Sequence, residues 1–260
     1  MENLSVVTGA SSGIGLELAR YATKKGYDLI IAADERSIEA AADELRRTGA
    51  EVTAVQADLS ARAGVDQLYQ AIQARNRPVD ALLANAGRGL GQAFLDQDPE
   101  AWRKVVDTNV TGTLDLIQRV GRDMREAGRG RILITGSIAG FIPGAYQAVY
   151  NESKVFLDSF AFGFRNELKD SGVTLTCLMP GATETEFFDR AGMQDTKIGA
   201  SKKDDAADVA PTGFEAMLKG QGDVVTGWMN KLQSAIANLT PAGMLAERHR
   251  MQAEPGSARR

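Results

Sequence analysis

The sequence predicts an α/β domain built on a doubly wound, seven-stranded, mostly parallel sheet with helices on both faces. Three observations predict it. Apolar runs of strand length alternate with longer stretches of helical period. The runs are apolar on both sides, as strands covered on both faces are. The intervening segments are long enough for crossover helices, which are almost always right-handed and so wind the sheet in two directions from its middle.

Taken in order, the first strand, LSVVT, runs into a glycine-rich turn, and a helix follows from near Ile14. The second strand, DLIIAA, ends at Asp34 before a helix near Ser37; the third, EVTAVQ, precedes Asp58 and a helix near Ala61. The fourth, DALLAN, leads to a loop and a long helical segment from Pro99 that is interrupted at Asn109. The fifth, RILITG, ends at Ser137, and a helix from near Gln147 carries Tyr150 and Lys154. VTLTCLMP and DVVTG are the sixth and seventh strands. No Pro- or Ser-rich linker and no internal repeat divides the chain, so residues 1–260 are expected to form one unit. Within it, residues 183–210 are expected to make a substrate loop and residues 228–260 a C-terminal extension with a frayed end, AEPGSARR.

Composition excludes several classes. Hydrophobic residues make 43% and charged residues 25% of the 260, the balance of a globular protein rather than a disordered one. A net charge of −4 gives no basic field for nucleic acid or an anionic membrane. The single cysteine, Cys177, rules out an internal disulfide and is expected to be a buried strand thiol; no metal cluster is spaced in the sequence. The N-terminus passes from Glu2 into an apolar strand without a basic, then apolar, leader, and a cytoplasmic setting is expected.

The chemistry begins at VVTGASSGIGLELA. Gly9, Gly13 and Gly15 let backbone approach a pyrophosphate, while free N–H groups and the helix dipole favour its charge. Asp34 follows Gly15 by about 20 positions, where a carboxylate accepts from ribose hydroxyls and repels a 2′-phosphate; this points to NAD, with NADP the alternative. Asp58 and the Asn85, Ala86, Gly87 turn stand at carboxyl ends of strands, where parallel sheets bind ligands. The same glycine stretch contains GASSG, which also fits a nucleophile elbow with Ser11 and, later in the chain, His249. Against that hydrolase reading, Ser11 is on the first strand, no HGGG-type segment is present, and His249 lies in a charged tail where a solvated histidine is expected.

In AVYNESKVF, Tyr150 and Lys154 share a helix face at i, i+4. A phenol with a reference pKa of ~10 is a poor base at neutral pH. An ammonium ~4 Å away, at an effective dielectric of ~20, favours the phenolate by ~4 kcal/mol. Tyr150 is thereby expected to act as a general base, and as an acid in reverse. The Ser137 hydroxyl can stabilise charge on the same substrate oxygen. The Asn109 amide is expected to hold a water that connects Lys154 to solvent.

These motifs resemble the short-chain dehydrogenase/reductase family, over nearly the whole chain: TGASSGIG, NAG, Asn109, Ser137, YNESK and PGATETEF. The resemblance implies a Rossmann-type fold and a catalytic tetrad of Asn109, Ser137, Tyr150 and Lys154. It implies cofactor contacts from Gly9, Ser11, Ser12, Gly13, Ile14, Gly15, Asp34, Asp58, Leu59, Asn85, Ala86 and Gly87. Lys154 with Tyr150 would hold the nicotinamide ribose, and Pro180, Gly181 and Thr183 would lie on the nicotinamide side. It also implies a homotetramer or homodimer through helices near Pro99–Ala127 and Gln147–Lys169.

The expected reaction is hydride exchange with a small carbonyl or secondary alcohol. An apolar set, Ile138, Phe141, Ile142, Tyr146, Phe187, Phe188 and Met193, is expected to supply the pocket, about half of it facing a ligand, with RAGMQDTKIGASKKDD as a mobile lid. The alternative of another class is a cofactor-binding scaffold without turnover.

Overall fold

The computed structural model describes residues 3–259; Met1 and Glu2, on which the N-terminal reading partly rests, and Arg260 lie outside the described residues. The first half alternates strictly: β1 (Asn3–Thr8), α1 (Gly13–Lys24), β2 (Tyr27–Ala33), α2 (Ser37–Arg46), β3 (Val52–Gln56), α3 (Arg62–Gln73) and β4 (Ala81–Ala84). Then come α4 (Pro99–Val106), a π-helical turn (Asp107–Gly112), α5 (Thr113–Glu126), β5 (Gly130–Thr135), α6 (Ala148–Glu167) and β6 (Val173–Met179). The chain ends with β7 (Thr183–Glu184), α7 (Phe187–Arg190), α8 (Lys197–Ala200), β8 (Asp204–Asp205), α9 (Ala206–Leu218), β9 (Asp223–Val225), α10 (Trp228–Ala237) and α11 (Ala242–Ala253).

The seven expected strands form one sheet in the order β3-β2-β1-β4-β5-β6-β9, all pairings parallel. Strand periodicity explains why both faces are apolar. Neighbouring residues point to opposite sides, so Val6, Ile30 and Leu82 join a core with Leu68, Leu116 and Leu157, while Val7, Ile31 and Leu83 join one with Leu18, Ile38 and Phe214. Strand order reverses between β1 and β4, and a crevice opens at their carboxyl ends.

Local chemistry sets the helix starts. Asp98 caps α4 by accepting from Glu100 N at 3.0 Å, with Pro99 at the first helical position, where its missing N–H costs nothing. The break expected at Asn109 is the π-helical turn between α4 and α5. Such turns widen a helix locally and re-aim one side chain.

Two expectations about the C-terminal region are corrected. His249 is not solvated: it is 6% exposed, and its Nδ1 lies 2.8 Å from Ala145 O. The AEPGSARR end is not frayed over its described residues, because Gly256 N donates to Asp195 Oδ2 and Ala258 N to Asp195 O, and Ser257 is buried. The charged residues of this tail face solvent, but the tail's contacts with 145 and 195 decide its burial. The segment expected as a lid, residues 190–205, follows on from α7 and holds α8 and β8, and its Met193 packs with Phe188 and Ala253 in one small core. No helix among the described residues is long and apolar enough to cross a membrane.

Candidate active site

The crevice is a cleft of about 880 Å³, floored by the ends of β1, β4, β5 and β6 and walled by α7, α8, α10 and α11. Gly9, Ser11, Ser12, Gly13 and Ile14 line one end. Gly9 and Gly13 have φ of 66° and 55°, a region that favours glycine. A Cβ at Gly9 would stand 2.9 Å from Ala86 Cα. Gly15 does not line the cleft; a Cβ there would meet Gly9 O at 2.1 Å, so it allows the close turn from β1 into α1 instead. This glycine-floored hollow at a helix N-terminus fits a dinucleotide pyrophosphate.

Thr8, Asn85 and Thr135 stitch the strand ends together. Thr8 Oγ1 accepts from Asn85 N (3.0 Å) and Ala86 N (2.9 Å), Asn85 Nδ2 donates to Thr8 O (3.1 Å), and Thr135 Oγ1 donates to Asn85 Oδ1 (3.1 Å). Asn85, Ala86 and Gly87 therefore line the cleft on a fixed backbone, as do Asp34, Asp58 and Leu59. Burial tends to raise the Asp58 carboxyl, but hydrogen bonds from Ser60 and from Lys104 (2.9 Å) outweigh it and hold the group at about 2.

Sequence reasoning missed Arg88. Its guanidinium reaches Asp34 Oδ2 at 3.2 Å, while Arg190 pairs with Glu35 at 3.0 Å. Two arginines thus face the carboxylates at the end of β2.

Asn109 is fully buried and does not line the cleft. Its Oδ1 accepts from Arg88 N (2.7 Å), and its Nδ2 donates to Arg88 O (3.0 Å) and Ser153 Oγ (2.9 Å). This corrects the water-holding role expected of the side chain, because both amide protons are spent on protein. The amide clamps the loop after β4 to α6.

At the far side, Ser137, Tyr150 and Lys154 meet in the cleft. Ser137 Oγ accepts from Ala139 N at 3.1 Å and donates to Pro180 O at 3.4 Å. Lys154 Nζ donates to Thr135 O at 2.8 Å and sits 6.0 Å from the Tyr150 ring centre. Burial pushes the Tyr150 phenol up to about 12, against the hydrogen bond with Ser137 that lowers it and with the field of Asp158 that raises it. Burial pulls the Lys154 ammonium below its ordinary value while Asp158 opposes that. In the free protein, desolvation therefore outweighs the ammonium, and Tyr150 is held as a phenol. Asp158, another residue missed from sequence, is 5% exposed beneath this corner.

Pro180, Gly181 and Thr183 line the cleft beside Ser137, as do Ile138, Ile142, Phe187 and Phe188. Phe187 lies 5.0 Å from Tyr150, ring centre to ring centre, and fills the space over Gly89. Three expected substrate contacts, Phe141, Tyr146 and Met193, are corrected, since none lines the cleft: Phe141 packs on the core, and Tyr146 donates to Glu254 Oε1 at 3.1 Å. Met193 is buried against Gly91. Gln147, His249 and Gln252 line the cleft instead. Gln147 is three residues before Tyr150 on the same helical face, a signal present in the sequence. The Ser11 elbow finds no support, since His249 is bonded to Ala145 O and no hydrogen bond between Ser11 and His249 occurs among the described residues.

Comparison with known proteins agrees with this geometry. An oxidoreductase of Myxococcus xanthus, described as uncharacterized, is 31% identical over 91% of this chain and 92% of its own. Sulfoacetaldehyde reductase 2 of Chromohalobacter salexigens is 33% identical over 72% of this chain and 75% of its own. Among solved structures, a short-chain dehydrogenase of Sphingobium yanoikuyae in complex with NADPH superposes with a TM-score of 0.78 at 27% identity, covering 91% of this chain and 94% of the other. A Burkholderia phymatum short-chain dehydrogenase/reductase in complex with NAD gives 0.81 at 25%, covering 92% and 96%. The short chain dehydrogenase family model matches residues 3–196. With the glycine hollow, the parallel sheet and that match, the chain belongs to the short-chain dehydrogenase/reductase family of oxidoreductases.

Proposed function

We propose that this protein exchanges hydride between a nicotinamide dinucleotide and a secondary alcohol or ketone, with Tyr150 as the proton-transfer group. The observation that carries the reading is the meeting of Tyr150, Ser137 and Lys154 at one end of a cleft whose other end is a glycine hollow. When bound, the dinucleotide supplies or accepts the hydride. Gly9, Ser12, Gly13 and Ile14 would hold its pyrophosphate, Asp34 and Asp58 its adenosine end, and Lys154 the ribose next to the reacting ring.

In reduction, the Tyr150 phenol gives its proton to the substrate oxygen; in oxidation the phenolate takes it back. A phenol at about 12 is ready as the acid, and oxidation requires that positive charge in the closed site bring it down. Ser137 Oγ donates to the same oxygen and orients it against Tyr150. Lys154 stands beside the phenol on the same helix face, its ammonium weakened by burial. Asn109 fixes the Arg88 backbone in the cleft wall. Phe187, Ile138 and Ile142 give an apolar wall that excludes water, while Gln147 and Gln252 offer polar partners to the far end of a substrate.

Asp34 supports NAD over NADP, and the Arg88 ion pair narrows the margin by neutralising part of its charge. A homo-oligomer is supported by Phe156 and Phe162, 44% and 43% exposed on α6. The complete Ser137, Tyr150, Lys154 set favours a catalyst over a scaffold. The test is Tyr150→Phe, assayed over a panel of ketones and secondary alcohols with NADH and NADPH. Loss of nearly all turnover with retained NADH binding supports the reading; undiminished turnover sinks it.

A further inference from the structure

Tyr150, Lys154 and Asp158 follow one another at four-residue intervals along α6, so they form a single row on one helix face. Asp158 is the last of the row and sits inside the protein. Its Oδ1 accepts from Ser137 N at 3.4 Å and from Cys177 Sγ at 3.4 Å; its Oδ2 is buried without a hydrogen-bond partner.

Room for this carboxylate is built into the loop after β5. A Cβ at Gly136 would stand 1.8 Å from Asp158 Oδ1, and one at Gly140 would stand 2.1 Å from Oδ2. Those two glycines flank Ser137, so the loop that presents the Ser137 hydroxyl is wrapped on Asp158. The titratable groups facing Asp158 are Lys154 and Tyr150 from α6 and Cys177 from β6; residues 136–140 contribute none. Lys154 is the cation one helical turn before it in the row.

We propose that Asp158 is a positioning residue of this site: it holds the Ser137 loop by accepting from Ser137 N–H, and as the buried carboxylate in the same helical row it disfavours the Tyr150 phenolate. With Asp158 ionised, its negative charge disfavours the phenolate; with a neutral side chain in its place, the phenolate is favoured. The direction of each group's titration agrees: burial raises the Asp158 carboxyl to about 7 with Lys154 opposing, and Asp158 raises Tyr150 in turn.

This rests on the reading of Tyr150 as the proton-transfer group, but the coupling can be read without turnover. The experiment is an ultraviolet titration of phenolate in the free protein, taken as the difference between a chain and its Tyr150→Phe counterpart, with and without Asp158→Asn. The amide keeps an acceptor for Ser137 N–H and removes the charge. Tyr150 is expected to titrate about one unit lower in the Asp158→Asn background, the size of effect a single near charge has. A transition that stays in place overturns the proposal. Should Asp158→Asn fail to fold, infrared spectra of the wild-type protein decide instead. A protonated-carboxyl band that disappears between about pH 5 and 9 supports it, and its absence throughout overturns it. Failure of Tyr150→Phe to affect turnover would sink the assigned reaction and leave this titration readable.

Discussion

The guanidinium of Arg88 stands 3.2 Å from the carboxylate of Asp34, across a gap of 54 residues in sequence and over the mouth of the dinucleotide cleft. Asp34 alone repels a 2′-phosphate; paired, it repels less, and Arg88 is at hand to receive one. The pair is about one-third exposed on each side, so it is worth only about 0–1 kcal/mol and exchanges partners readily. Arg88→Ala is expected to raise the NADPH-to-NADH ratio of dissociation constants by about tenfold, a difference of ~1.4 kcal/mol, read by fluorescence titration of both cofactors. An unchanged ratio would remove Arg88 from cofactor choice.

Tyr150→Phe keeps the ring against Phe187 and deletes the proton carrier. Turnover is expected to fall by about 10²–10⁴, the usual weight of general acid–base catalysis, with cofactor fluorescence still showing binding. Stopped-flow measurement of hydride transfer checks that the loss is in the chemical step.

Asp158 makes stability depend on pH. Its carboxyl is raised to about 7 in the folded protein, against ~3.9 in an unfolded chain. A raised value contributes stability that is full below about pH 4 and lost as pH climbs through about 7. Asp158→Asn removes that loss, so across this interval the variant should gain on wild type by on the order of 4 kcal/mol, less whatever the Lys154 ammonium forfeits. Urea unfolding of both chains at a series of pH values measures the slope.

Gly15→Ala tests the cradle's geometry. The added methyl would lie 2.1 Å from Gly9 O, so backbone must move. A loss of about 1–3 kcal/mol in thermal or urea unfolding is expected, with weakened binding of both cofactors. Retained NADH affinity would show that the turn has room to yield.

Much of the fold and the chemistry was legible because it is local. Tyr150 and Lys154 meet by helical period, and seven apolar runs gave seven parallel strands. The glycine turn was legible as a close-packed hollow by residue type, and Gly9 and Gly13 line one. What escaped depends on distant partners. Arg88 matters because its side chain reaches back to Asp34, and Asp158 because two glycines leave it space. His249 and the 254–259 segment carry charge enough to read as solvated, yet Ala145 and Asp195, far away in sequence, bury them. Tyr146 and Phe141 have the right composition for a pocket, but Glu254 and the core claim them. The ammonium's effect on Tyr150 was overestimated because Lys154 turns to Thr135 O and the surrounding protein desolvates the phenol.

The match to the family model stops at residue 196, whereas α10 and α11 supply Met229, Asn230, Gln233, His249 and Gln252 to the far wall of the cleft. Ser137, Tyr150 and Lys154 and the wall opposite them thus occupy separate stretches of chain. His249 is the exception, since its bond to Ala145 O ties α11 to the loop before Tyr150. For directed evolution, a library at the other cleft-facing positions of those two helices is expected to vary the molecules accepted.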